Sequence, residues 1–217
     1  MPAADDVQRL FTRRADAYVE YAQAFRHRQG IAAALVSSGL LRPGQRILDA
    51  GCGTGLSILA LTDALRTRGF ACPSIDAFDL TEAMLDRCRE TVRAALPPVE
   101  FRQADVLHLS EQVPASWDGY DLIVCAAMLE YVRRDSLTAA VAALGERLEP
   151  GGRLFAVITR SSFYATRWIW RCEGYTEREI RSAFTDAGLA DVVFRRYPWR
   201  YGWLNVGNHI AVATRSR

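Results

Sequence analysis

The chain has 217 residues, of which 50% are apolar and 24% are charged, and its formal net charge is +2. This composition is typical of a folded globular protein and excludes a disordered chain. The small net charge creates no overall field that would draw the protein to nucleic acid or to a membrane surface.

The cysteines and the apolar runs restrict where the protein works. Five cysteines, an odd number without a CxxC pair, favour a reducing environment over a disulfide framework or a structural zinc site. The first residues lack the apolar core of a signal peptide, and no apolar run reaches the roughly 20 residues that span a bilayer. The sequence therefore predicts a cytoplasmic protein without a membrane partner.

The predicted elements begin with an N-terminal helical lid over residues 1–41. Apolar side chains such as Val7, Phe11 and Tyr18 recur at helical spacing, and a second apolar run covers residues 31–41.

After the lid, apolar strands alternate with helices. The strands are predicted at residues 46–50, 74–79, 99–104, 120–126, 152–159, 190–197 and 206–214, and the helices at 56–68, 82–95, 133–148 and 176–187. Such alternation predicts an α/β fold with a mostly parallel, doubly wound sheet of seven strands in a three-layer sandwich. The last two strands follow each other without a helix, so they predict a hairpin that adds an antiparallel edge strand.

The first strand runs into a glycine loop, Asp49-Ala50-Gly51-Cys52-Gly53-Thr54-Gly55, and a helix follows directly. Glycine permits positive φ and close approach of a ligand, and the helix start offers free N–H groups. A dinucleotide fingerprint needs its third glycine one position later, where Leu56 stands, and a phosphate-binding P-loop needs a lysine, which the chain lacks. The loop is therefore expected to hold a small ligand, with Asp49 available for its positive charge.

This loop resembles motif I of the class I S-adenosylmethionine-dependent methyltransferases. Later segments resemble the family's second to fourth strands and its turn into the fifth, in order and at matching spacing: 75–85, 101–106, 120–132 and 148–154. The resemblance covers about residues 46–158. It implies one domain over 1–217, with a cofactor-binding half at 42–158 and a substrate-side half at 159–217.

The resemblance implies S-adenosylmethionine as the cofactor. The residues that it implies as cofactor contacts are Asp49, Gly51, Cys52, Gly53, Gly55, Asp79, Leu80, Met84, Asp105, Val106 and Ala126. Asp49 would lie near the ammonium group, and Asp79 would accept both ribose hydroxyls, since a carboxylate has two acceptor oxygens. Asp105 would take the adenine amino group.

The acceptor and the catalytic residues are less determined by the sequence. The motifs of amino-directed DNA methylation, cytosine methylation and metal-dependent catechol methylation are not found, so no metal is expected. His27 and Glu130 are the candidate catalytic residues. The candidate acceptor contacts are aromatic residues and an arginine, which suit a planar or anionic small molecule: Tyr18, Tyr21, Arg160, Tyr164 and Trp168.

Two alternatives stay open. The basic, aromatic segment 195–200 is also typical of a surface that stacks RNA bases and binds phosphate, which would make the protein an RNA methyltransferase. The second alternative is that the protein binds the cofactor without catalysing a reaction and acts as a subunit of a partner. The modest total charge makes nucleic acid the less expected partner.

Overall fold

The computed structural model describes residues 4–93 and 98–216, and its centre is a seven-stranded sheet. The strands are β1 Ile47–Ala50, β2 Ile75–Asp79, β3 Val99–Gln103, β4 Tyr120–Ala126, β5 Leu148–Thr159, β6 Leu189–Arg195 and β7 Asn208–Arg215. Their order across the sheet is β3-β2-β1-β4-β5-β7-β6. The first five strands of this order run parallel, and β7 is antiparallel to both of its neighbours.

Helices cover both faces of the sheet. In the described part of the chain they are α1 Ala4–Ala24, α2 His27–Ser38, α3 Leu56–Thr67, α4 Glu82–Val92, α5 Leu109–Gln112, α6 Leu137–Glu146, α7 Tyr164–Trp170, α8 Glu177–Asp186 and α9 Leu204–Gly207. One buried cluster joins the sheet to α6 and α8, and the other joins it to α2, α3 and α4. The fold is thus the mostly parallel α/β sandwich that the sequence predicts.

The position of the reversed strand refines that prediction. The predicted hairpin forms, but β7 inserts between β5 and β6, so β6 is the outermost strand. In the register of β5 and β7, Thr159 pairs with Asn208. The amino end of β7 therefore lies at the same edge of the sheet as the carboxyl ends of the parallel strands.

Element boundaries differ from the predictions mostly at their ends. β5 begins at Leu148, four residues earlier than expected, and α6 begins at Leu137 after a 3-10 turn, four residues later. The last residues of the predicted helix 82–95 lie outside the described residues. The helices α5, α7 and α9 were not predicted, because segments of four to seven residues are too short to show a helical period.

The two N-terminal helices of the predicted lid pack differently, although both line the same cavity. The helix α1 contributes Val7 and Phe11 to a separate buried cluster with Met84 of α4 and Trp170 of α7. Its backbone departs from helical geometry at Arg14, which divides it into two halves. The helix α2 instead packs on α3 within the helical layer, so this part of the predicted lid belongs to the core.

The strand order creates a crevice at the carboxyl end of β1. From β1 the chain continues to β2 on one side, whereas β4 lies on the other. Ligands in open α/β sheets bind outside the carboxyl ends of strands at such a switch point. The glycine loop and the ends of β2, β4 and β5 all lie at this edge.

Candidate active site

The glycine loop joins β1 to α3 through three glycines with positive φ. Gly51, Gly53 and Gly55 have φ values of 71°, 52° and 89°. A side chain on Gly51 would collide with Met128, and one on Gly55 would press on α4, whereas the space beside Gly53 is open. Gly53 is therefore the glycine of the loop that leaves its backbone accessible to a ligand.

Asp79, the last residue of β2, is fixed beside this loop. Its Oδ2 accepts the Gly53 N–H at 2.9 Å, and its Oδ1 accepts the Thr81 N–H at 2.9 Å. Burial raises the pKa of Asp79 to about 6, although these backbone hydrogen bonds act in the opposite direction. The carboxylate lines a cavity and is held in place for a donor from a ligand.

The cavity extends from Asp79 towards the end of β3. Its wall there includes Leu80, Met84 and Val106. Asp105 lines the same end, and its Oδ1 accepts the Leu107 N–H at 2.9 Å. Apolar walls around one carboxylate are suited to a flat heterocycle with an amino group.

Asp49 lies behind the cavity wall rather than in it. The side chain is buried, and its Oδ2 accepts the Ser57 hydroxyl at 2.5 Å. Ser57 lines the cavity, while Asp49 Oδ1 has no hydrogen-bond partner among the described residues. Burial raises the pKa of Asp49 to about 7, because ionisation in this apolar setting is costly. A cationic group near Ser57 would offset that cost.

The far end of the cavity lies under α1 and α2. The cavity has a volume of about 450 Å³ and runs without interruption from Asp105 to residues at that end. Those residues are Tyr18, His27, Ile31, Val157 and Asn208. One cavity thus has a polar, loop-lined end and a largely apolar end.

Comparison with known proteins identifies this architecture. Residues 47–152 match the family described as "Methyltransferase domain". A ubiquinone biosynthesis O-methyltransferase of Paracidovorax citrulli is 32% identical over 112 residues, which are 52% of this chain and 42% of that relative. The chain spans less than half the length of the curated relative that it matches.

Solved structures show the same fold. An O-methyltransferase family protein from Burkholderia thailandensis aligns with a TM-score of 0.73 and 20% identity over 94% of this chain and 60% of the other. Magnesium protoporphyrin IX methyltransferase from Synechocystis PCC 6803, solved with bound S-adenosylmethionine, aligns with a TM-score of 0.62 and 21% identity over 89% and 80%. Residues 47–152 therefore form a methyltransferase domain, and the fold around them is that of the S-adenosylmethionine-dependent methyltransferases.

The residues of this methyltransferase domain that were expected to bind the cofactor fall into two groups. Those that line the cavity are Gly51, Cys52, Gly53, Asp79, Leu80, Met84, Asp105, Val106 and Ala126. Asp49 and Gly55 do not line it. Gly55 packs closely against Cys88 and Val92 of α4, so its part in the loop is helix packing.

The two candidate catalytic residues are not equivalent in the methyltransferase domain. His27 lines the cavity, and burial lowers its pKa to about 4, so its imidazole is neutral at pH 7. Glu130 is buried outside the cavity lining, where its Oε1 accepts the Thr159 hydroxyl at 2.8 Å. Burial raises the pKa of Glu130 to about 7.

Most of the expected acceptor contacts lie elsewhere. Of the five, Tyr18 alone lines the cavity. Tyr21 packs on Trp170 with ring centres 5.5 Å apart, and Arg160 Nε donates to the Asn208 carbonyl at 3.1 Å. Tyr164 and Trp168 of α7 project into solvent, with exposed fractions of 72% and 85%. Their place in the fold does not support the expected contact with an acceptor.

Several residues that line the cavity were not predicted as site residues from the sequence. Ile31, Val157 and Asn208 come from α2, β5 and β7, which are far apart in the sequence and are brought together by tertiary packing. Ala127 and Met128 follow β4, and Ala127 adopts a φ of 59° that is uncommon for a residue other than glycine. Their position directly after an apolar strand was the available signal, since ligands gather at strand ends.

Proposed function

We propose that this protein transfers a methyl group from S-adenosylmethionine to a small planar acceptor by in-line substitution, without a metal. The single cavity that joins the glycine loop to the apolar end under α1 carries this proposal. Its volume of about 450 Å³ lies within the usual range of small-molecule sites. When bound, the cofactor supplies a methyl group activated on a sulfonium, so the protein mainly has to align the acceptor.

The polar end of the cavity fits this cofactor. Asp79 is expected to accept the ribose hydroxyls, and Asp105 the adenine amino group. The Oδ1 of Asp49 has no hydrogen-bond partner among the described residues, and the pKa of Asp49 is raised; both observations fit an ammonium group bound at Ser57. Gly53 offers open space for the ligand beside its backbone.

The other end favours an uncharged planar acceptor over an anionic one. Its walls are Tyr18, Ile31 and Val157, with His27 and Asn208 as polar groups. Among the described residues that line the cavity, the one arginine is Arg133, which pairs with Asp135 at 3.1 Å. Arg160, which was expected to bind an anion, is not in the lining.

His27 is the residue best suited to take a proton from such an acceptor. Its ring contacts Tyr21 and Phe25, with centre distances of 5.6 and 6.3 Å, and these contacts restrict its orientation. Burial lowers its pKa to about 4, which keeps the ring neutral at pH 7, so a ring nitrogen can accept a hydrogen bond from an acceptor hydroxyl. Glu130, held by Thr159, is proposed to support β5 instead.

The similar proteins support a small acceptor. One relative is named for ubiquinone biosynthesis, and one structural neighbour is named for magnesium protoporphyrin IX. Both names refer to organic molecules of low molecular weight.

No cluster of three or more His, Cys, Asp or Glu side chains that would hold a metal occurs within 4–93 and 98–216.

Two measurements test the proposal. Calorimetric titration with S-adenosylmethionine, S-adenosylhomocysteine and NAD should show binding of the first two and none of NAD. Transfer of a labelled methyl group should then be measured on a panel of phenols, catechols, aromatic acids and transfer RNA. Transfer to RNA alone would identify an RNA methyltransferase, and tight cofactor binding without any turnover would favour a non-catalytic subunit.

A variant separates the base from the binding site. His27→Asn should lower kcat for a hydroxyl acceptor by about 100-fold or more and leave the Kd for S-adenosylhomocysteine unchanged. Full turnover in His27→Asn would show that His27 is not the base. Glu130→Gln serves as the comparison, and we expect a smaller loss of kcat from it.

A further inference from the structure

Three segments meet on one face of the protein beside the apolar end of the cavity. We call this surface the aromatic–arginine face; it consists of residues 21–28, 160–171 and 195–208. Trp203 Nε1 donates to the Phe25 carbonyl at 3.2 Å, and the Arg160 N–H donates to the Gly207 carbonyl at 2.8 Å. These hydrogen bonds join all three segments into one surface.

Most of the exposed large apolar side chains lie on this face. In the part of the chain that the structure describes, nine such side chains are exposed, and seven of them belong to the face. They are Phe25, Tyr164, Trp168, Ile169, Trp199, Trp203 and Val206. Trp168 and Trp199 are 85% and 87% exposed, although tryptophan is normally well buried. A concentration of this kind marks a surface that meets a partner.

The charge of the face has one sign. Its three segments contain eight arginines and no aspartate or glutamate. Two of these arginines, Arg28 and Arg160, pair with Asp63 and Glu177 outside the face. The other six form no ion pair within the described ranges: Arg26, Arg167, Arg171, Arg195, Arg196 and Arg200. The small net charge of the whole chain conceals this local excess. The partner should therefore carry negative charge.

We propose that the aromatic–arginine face docks on the surface of an anionic lipid bilayer. Tryptophan rings are amphipathic and favour the boundary between lipid headgroups and acyl chains, while arginine forms forked hydrogen bonds with phosphate. Ile169 and Val206 add aliphatic surface, which lipid tails solvate but nucleic-acid bases do not stack on. This mixture favours a bilayer over RNA.

The docking is peripheral. No helix in the described part of the chain is long and apolar enough to cross a membrane. Trp168 and Trp199 would reach the headgroup region, and the arginines would contact anionic headgroups, whose attraction falls off within about 10 Å at ordinary salt.

The location of the face gives the docking a consequence for the site. Two residues of the face, His27 and Asn208, also line the cavity. The face and the apolar end of the cavity are therefore adjacent. On the basis of the proposed function, a planar apolar acceptor dissolved in the bilayer would reach the cavity from this side. The docking itself does not depend on that function, because it can be measured without cofactor or turnover.

Vesicle binding tests the proposal with the full chain. Cosedimentation should be measured with phosphatidylglycerol–phosphatidylcholine vesicles and with pure phosphatidylcholine vesicles, at low and high salt. We expect binding to the anionic vesicles that weakens as salt rises. The double variant Trp168→Ala/Trp199→Ala should weaken it at least about tenfold, because two bilayer-interface anchors are lost.

Charge variants provide a second, independent measurement. Arg196→Gln and Arg200→Gln should each weaken binding to anionic vesicles about fivefold. The matched control is Arg66→Gln/Arg153→Gln, which removes two exposed arginines outside the face and should change binding much less. Thermal unfolding of each variant checks that the fold is retained.

Three results would overturn the proposal. The first is no binding to anionic vesicles at low salt, or an equal loss in the control variant. The second is a dimer in sedimentation analysis that Trp168→Ala/Trp199→Ala dissociates, which would make a second copy the partner. The third is a higher affinity for single-stranded RNA than for anionic vesicles, with the RNA affinity lowered by the same substitutions.

Discussion

The ionisation of Asp49 can be tested by replacing it with asparagine. In the structure this carboxyl is buried behind Ser57, with one oxygen hydrogen-bonded and the other without a partner among the described residues. Asp49→Asn keeps the size and an acceptor oxygen but removes the charge. We expect the variant to be more stable than the parent at pH 8 in the absence of cofactor.

The magnitude follows from the pKa. Burial raises the pKa of Asp49 from 3.8 to about 7. A shift of about 3 units at 1.36 kcal/mol each makes ionisation cost about 4 kcal/mol in the folded state. The hydrogen bond from Ser57 acts against burial and is already contained in this net shift. The gain in the free energy of unfolding is therefore about 4 kcal/mol at pH 8.

The pH dependence gives the test its sign. Between pH 4 and 7 the folded protein keeps a proton on Asp49 that the unfolded chain releases, so the contribution of this carboxyl to stability falls as pH rises. The gain from Asp49→Asn should therefore be larger at pH 8 than at pH 5. Urea unfolding at pH 5, 6, 7 and 8 measures it. A difference between parent and variant that is the same at every pH would refute the reasoning.

The same variant should weaken cofactor binding selectively. Asp49→Asn is expected to lower the affinity for S-adenosylhomocysteine, which carries the ammonium group. Affinity for 5′-methylthioadenosine, which lacks it, should remain. Equal losses for both ligands would mean that the substitution disturbs the loop rather than one charge interaction.

Other predictions concern the same loop. Asp79→Ala should raise the Kd for S-adenosylhomocysteine about 10- to 100-fold in calorimetry, because hydrogen bonds to a charged group contribute about 1.5–3 kcal/mol; an unchanged Kd would remove Asp79 from the ribose site. For the parent, the Kd for S-adenosylmethionine should rise as pH falls below 7, since Asp49 and Asp79, with pKa values of about 7 and 6, take up protons; a flat profile from pH 5.5 to 8 would contradict this. Gly51→Ala should lower Tm more than Gly53→Ala, since a Cβ on Gly51 would meet the Met128 side chain, whereas one on Gly53 would meet no described atom within 4 Å. Equal shifts in Tm would show that backbone strain at positive φ, and not contact with Met128, accounts for the loss of stability.

The sequence predicted the sheet and the cofactor class well because both depend on local patterns. Strands covered on both faces are continuous apolar runs, and β4 was predicted with its observed bounds. The glycine loop shows its spacing within nine residues, and the match over residues 47–152 confirms the family resemblance.

The acceptor side was harder to predict because it depends on tertiary packing. Tyr164 and Trp168 are aromatic residues in a segment next to β5, and nothing in their spacing shows that α7 turns them towards solvent. Ile31 begins the apolar run 31–41 of the predicted lid, and nothing in that run distinguishes it from its neighbours, yet it lines the cavity. Asp49 was correctly placed at the loop, but the sequence does not show that Ser57 separates it from the cavity.

The reversed direction of β7 determines which parts of the chain lie at the edge of the sheet that carries the cavity. If β7 were parallel to its neighbours, only its carboxyl end would lie at the edge of the sheet that carries the cavity. The segment before β7 would then lie at the opposite edge. Because β7 is antiparallel, residues 196–207 and the segment after β5 lie at the edge of the sheet where Asn208 lines the cavity. Both segments are remote from the glycine loop. We therefore expect insertions or substitutions next to Asn208 to change the apolar end of the cavity while Asp79, Asp105 and the loop keep their arrangement.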